Sequence, residues 1–196
     1  MKSGNELDII DSTRGKVLSD RHVTGENMFL IWGYPTEVFL LLEFISMQIW
    51  NAEWCMWLWA GIPLVGVPLM FVSFHKEHME THRTERREYI IMRIWIFIGI
   101  ASCVTGFATG FTGIYEECFF GILCLLCGFG CFLTGEQLHF RPMVSCGVAG
   151  SLLSVTLFCL QDELWQWQIP ASALIFVITL IIPGHIFRKH VRYYGI

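Results

Sequence analysis

Two carboxylates stand where an apolar helix would ordinarily have none: Glu37 and Glu43 fall inside the run Met28–Trp50, which carries no other charge. In hydrocarbon an ionised carboxylate is costly, so each must face a bundle interior, find a cationic partner or hold a proton. The chemistry open to them is a structural ion pair or a proton or solute pathway. On an α-helix the two positions differ by about 120° in direction and about 9 Å in depth, so they do not obviously form one site. Glu37 follows Pro35 by two residues and is the one expected to carry either role. Arg93, just inside another apolar run, is its expected partner, and His185 approaches the same depth from the end of the chain.

Histidines and cysteines are the other candidates. His22, His75, His78, His82, His139, His185 and His190 all lie at or beyond one set of ends of the apolar runs. His75, His78 and His82 have i, i+3, i+7 spacing, which on one helical face can offer two or three imidazoles to a metal. The consecutive-histidine boxes of membrane di-iron desaturases are missing, so helix polarity in contact with water is the expectation, with no metal or other cofactor. Cys124, Cys127 and Cys131 share a face of a fourth apolar run, where a thiol behaves as a small apolar side chain rather than an exchange centre. Cys55, Cys118 and Cys159 fall near the opposite ends of three runs and leave one outward-facing disulfide open, with the pairing unfixed. Gly150-Ser151 lacks the setting of a rhomboid nucleophile, and neither HExxH nor a phosphate-cradling motif occurs, which argues against an enzyme.

What must position these groups is a set of membrane helices. The chain is 54% hydrophobic with a mean hydropathy of +0.54, too apolar for a soluble domain of its 196 residues. Runs of roughly 20 apolar residues predict spans at Met28–Trp50, Trp54–Phe74, Tyr89–Gly113, Cys118–Leu138, Met143–Gln161 and Leu164–Phe187. All 13 Lys and Arg then fall on one side: four before the first span, five from Lys76 to Arg93, Arg141, and three from Arg188 onward. Glu53, Glu116, Glu117, Asp162 and Glu163 fall on the other. The positive-inside rule puts both termini in the cytoplasm.

Three short acidic connections predict three helical hairpins opening toward the cytoplasm. Trp50, Trp54, Trp57, Trp59, Tyr115, Trp165 and Trp167 would form an outer aromatic belt, and Trp32, Tyr89, Trp95, Tyr193 and Tyr194 an inner one. Gly106, Gly110, Gly121, Gly128, Gly130, Gly147 and Gly150 are placed for close helix packing. Between His75 and Glu88 the polar chain is expected to prolong the second and third helices beyond the bilayer.

Residues 1–27 show no apolar stretch with a cleavage site, so the first span is expected to act as the insertion signal. They read as a cytoplasmic segment with a short interfacial helix, 28–187 as the transmembrane domain, and 188–196 as a basic cytoplasmic tail. The basic residues are spread over several loops, which suits anionic lipid rather than nucleic acid.

The stretch Glu26-Asn27-Met28-Phe29-Leu30-Ile31-Trp32-Gly33-Tyr34 and the later Ile182-Pro183-Gly184-His185 resemble the FLIWGY and IPGH motifs of a family of uncharacterised six-span bacterial integral membrane proteins of Bacteroidetes type. Met28 stands where that family usually has proline. The resemblance implies a six-helix fold in the cytoplasmic membrane, no particular reaction, and a regulatory role beside a transcription factor as one option. The sequence thus leads to an all-α polytopic protein of the inner membrane. It is expected to be a non-enzymatic sensor, scaffold or partner-binding protein, self-associating or joined to another membrane protein. The alternatives are a small proton-coupled transporter or channel using Glu37 or Glu43, and a metalloenzyme at the cytoplasmic face.

Overall fold

The computed structural model describes residues 25–50, 58, 61–80, 86–112, 118–160 and 167–194. Among them there is no strand. In order the helices are α1 (Gly25–Trp50), α2 (Gly61–Glu80), α3 (Arg86–Thr112), α4 (Phe119–Leu138), α5 (Arg141–Leu157), α6 (Gln168–Phe176) and α7 (Ile182–Tyr194). A five-residue π-helical segment, Val177–Ile181, joins α6 to α7 without a break in the rod. The interfacial helix, the acidic connections, Cys55 and His82 lie outside the described residues, as do the side chains of His75 and His78.

Four stretches are long and apolar enough to cross a membrane: Met28–Ile49, Tyr89–Thr109, Phe119–Leu138 and Gln168–His190. The apolar part of α2, Gly61–Ser73, is shorter. The described helix starts at Gly61 and holds Pro63 in its first turn, where the missing N–H has no helical partner to lose. α2 and α3 do run on through the polar region, to Glu80 and from Arg86.

The three expected hairpin pairs are each in contact but pack unequally. α1 lies beside α2 and α3 beside α4, but the tightest pair is α4 with α5. Gly135 and Gly147 explain it: a Cβ on Gly135 would come within 2.7 Å of the Val144 amide nitrogen, and one on Gly147 within 2.7 Å of the Phe132 Cα. Hydrogen side chains let the two backbones touch. The turn between them is short, with His139 in the left-handed region (φ 54°) and Phe140 N–H donating to Gly135 O at 2.9 Å.

α1 closes the bundle by packing against α6, the π segment and α7. Phe44 meets Trp167 at one end, with ring centroids 6.3 Å apart, and Gly184 abuts Phe29 and Leu30 at the other. The core so formed holds Phe29, Leu40, Cys124, Met143, Leu157, Ile169 and Phe176. Large apolar side chains such as Leu64, Phe71, Phe97, Phe107 and Phe111 point outward instead. A surface of that kind is stable only against hydrocarbon or another apolar partner.

Candidate functional site

The expected lock between Glu37 and Arg93 does not form. Arg93 is exposed and turns to its own helix, donating from Nη2 to Tyr89 Oη at 2.5 Å with its guanidinium carbon 4.2 Å above the Tyr89 ring. A residue one turn away reaches the cation more cheaply than a carboxylate on another helix, and the pairing lets the long side chain stay at the membrane edge. His185 takes no part with Glu37 either. Its Nε2 shares a hydrogen bond with Tyr34 Oη at 2.7 Å, on an exposed face of α1 and α7.

That contact joins the two sequence motifs. Gly33 of the first packs against Leu180 and Ile181, Gly184 of the second packs against Phe29 and Leu30, and Tyr34 bonds His185. Both motifs are therefore halves of one helix crossing. Bulk at either glycine would force apart the two ends of the chain; a Cβ at Gly33 would come within 2.9 Å of Ile181 Cγ1.

Glu37 sits one turn beyond Gly33 on α1, level with the start of the π segment. Its Oε1 is buried and has no hydrogen-bond partner. Glu43 is enclosed further. It is 0% exposed, and neither Oε1 nor Oε2 has a partner. The sequence reading favoured Glu37 because of the neighbouring proline, whereas the structure encloses Glu43 completely, since α1 turns that face onto α6. Ionised and without a counter-charge, such a carboxylate would be costly in a sealed site.

Five of the buried hydroxyls are committed to helix carbonyls. Thr36 donates to Trp32 O, Thr134 to Gly130 O, Ser154 to Ser151 O, Ser172 to Ile169 O and Thr179 to Ile175 O, each a carbonyl of its own helix. Trp95 Nε1 donates to Thr134 Oγ1 at 3.1 Å. Gln168, buried where α6 begins, donates to Leu157 O and to Leu160 O, satisfying carbonyls at the end of α5.

The π segment was not anticipated. Pro183 has no N–H to give, and just before it the ladder slips by one residue, so that Ile182 N–H goes to Val177 O. Such one-turn widenings recur at functional sites. The signal lay in Ile182-Pro183, read only as a motif. Here Thr179 of the segment faces Gly150 of α5.

Cys118, Cys124, Cys127, Cys131, Cys146 and Cys159 are free thiols, so Cys118 and Cys159 are not bonded to each other. Cys131 Sγ reaches Met143 O at 3.4 Å. Among the described residues no three His, Cys, Asp or Glu side chains converge as metal ligands. No protein-family model, curated protein or solved structure matches the chain.

Proposed function

We propose that the chain is a six-span protein of the cytoplasmic membrane, both termini inside, working as a small proton-coupled transporter with Glu43 as the proton-carrying residue. The one-sided distribution of Lys and Arg supports the topology, and the Bacteroidetes-type resemblance implies the same span number. α5, with 17 residues, is about 26 Å long, close to the thickness of a bilayer core.

The observation that carries the function is Glu43: a fully enclosed carboxyl with no partner on either oxygen. A scaffold gains nothing from such a residue, since an unsatisfied buried polar group only subtracts from stability. A carrier needs one, because a group that binds a proton must be able to release it. Elsewhere in the bundle the helices carry irregular positions of the sort transporter helices use, with Pro35 in α1, Pro68 in α2 and the π segment after α6. Two glycines of α2, Gly61 against Phe39 and Gly66 against Trp32, let those rings of α1 seat closely on it.

The test is reconstitution in liposomes holding a trapped pH dye, in a medium of mixed salts, amino acids and sugars. An imposed pH step should equilibrate faster with the protein than without it. Glu43→Gln should keep the helix content and the elution volume and lose that acceleration. Equal rates in wild type and Glu43→Gln overturn the assignment.

A further inference from the structure

Once Glu43 gives up its proton, something must stabilise the carboxylate left behind. On the reading above as a proton-coupled carrier, we infer that the transported substrate is a small monovalent cation, exchanged one for one with the proton at Glu43.

The charges and hydrogen-bonding groups of the bundle carry this. Among the described residues, the elements packed on α1 bring no basic group to the depth of Glu43. The apolar stretch Gly61–Ser73 of α2, all of α6 and the π segment contain no titratable residue. α4 offers only the thiols Cys124, Cys127 and Cys131 in its apolar interior, with Glu136 near its far end. The cationic side chains of α3, α5 and α7, among them Arg93, Arg141, His185 and Arg188, stand at the opposite end of the bundle from Trp167 and Phe44. The acids at mid-depth are Glu37 and Glu43, and they face no counter-charge.

The hydrogen-bond inventory points the same way. The donors of Thr36, Thr134, Ser154, Ser172 and Thr179 are spent on helix carbonyls. Among the described residues the acceptors left over in the interior are Glu37 Oε1 and both oxygens of Glu43, while the buried donor Arg188 Nε belongs to the basic end of the bundle. Once Glu43 is ionised, an anion at its depth would meet a like charge with no basic group among the described residues beside it. A neutral polar solute such as a sugar needs donors and acceptors together. A cation needs acceptors alone.

The energetics complete the argument. A bare carboxylate in a sealed site is prohibitively costly, and breaking its pairing with a cation leaves an uncompensated buried charge. The closed state therefore exists with a proton on Glu43, or with another cation beside it, and not empty. That condition makes an exchanger. The O–H bond of Glu43 breaks, the proton leaves to one side, and the carboxylate takes up a cation from that side; on the other side the cation leaves and the O–H bond reforms. One positive charge crosses each way, so the cycle is electroneutral.

The experiment loads proteoliposomes with a pH dye and a bulky impermeant ammonium buffer, then adds sodium, potassium, lithium or choline chloride at constant pH. At least one of the three alkali cations should drive an internal alkalinisation that protein-free vesicles lack. The signal should be lost in Glu43→Gln and retained in Glu43→Asp, which keeps the acid and serves as the check on a folding defect. Proton movement that proceeds equally in amino acids and sugars with no permeant cation overturns the cation assignment and leaves the proton-carrier reading standing. No protein-dependent proton movement in any medium overturns both.

Discussion

Glu43→Met separates a working acid from a structural one by the sign of its effect on stability. Glu43 is 0% exposed and both carboxyl oxygens are unpartnered. Leaving a buried polar group unsatisfied costs about 1–3 kcal/mol. Met has nearly the same length and fills the volume without a polar atom, so the exchange should remove that cost and open no cavity. The expected outcome is a stability gain of about 1–2 kcal/mol, the lower part of that range allowing for imperfect repacking. Had Glu43 been half of a buried ion pair, removing it would instead have cost about 3–5 kcal/mol by stranding its partner. The two cases differ by at least about 4 kcal/mol. Reversible unfolding in mixed micelles, followed by helical circular dichroism, resolves that difference easily. Proton exchange measured on the same preparation should vanish. A loss of stability above about 2 kcal/mol would refute the reasoning, because it would mean that the carboxyl is held by a group absent from the structure described above.

Gly147→Val should be among the most disruptive single changes in the bundle, costing about 3 kcal/mol or more, since the new side chain meets the backbone of Phe132 rather than a movable side chain. Gly99→Ala is its control: nothing lies within 4 Å of the added Cβ, and the helix should gain up to about 1 kcal/mol, both changes being read from the same unfolding curves. Thr134→Val leaves the Trp95 indole N–H without its acceptor and should cost about 1–2 kcal/mol, together with a shift in tryptophan emission. For topology, single cysteines introduced at positions 52, 116 and 163 of a cysteine-free chain should react with a membrane-impermeant maleimide in intact cells, while one at position 79 should react only after lysis. Reaction at 79 in intact cells inverts the orientation.

The helices were legible because lipid simplifies the code. An apolar run of membrane length has few alternatives to a helix, and the starts of α3, α4 and α5 fall within three residues of the sequence expectation. The pairing of helices was harder to read. Short acidic connections suggested which neighbours should pack, but connection length fixes only that two helices are adjacent; how closely they pack depends on which residues face each other. Gly128, Gly135, Gly147 and Ser151 put α4 against α5 because they repeat at three- to seven-residue spacing on facing sides, a pattern that becomes meaningful only when both helices are set in register.

The site was half legible for a related reason. Two glutamates in hydrocarbon demand an explanation from sequence alone, and Arg93 supplied an attractive one. The pairing failed because charge complementarity between distant positions says nothing about rotation around each helix, and Tyr89, four residues before Arg93, was the nearer claimant. Pro35 likewise drew attention to Glu37, although a proline marks where a helix is interrupted rather than which side chain the bundle encloses. What the sequence could have supplied is the face. Leu40, Glu43 and Met47 follow one another at helical spacing on α1, so an apolar stripe already runs through Glu43, and a polar residue on the buried stripe of a membrane helix is a stronger sign of function than one beside a proline. By that criterion Gln168 is the control: it too is buried at the end of a span, but it donates to the carbonyls of Leu157 and Leu160 where α5 ends, which accounts for it structurally, whereas neither carboxyl oxygen of Glu43 has a partner.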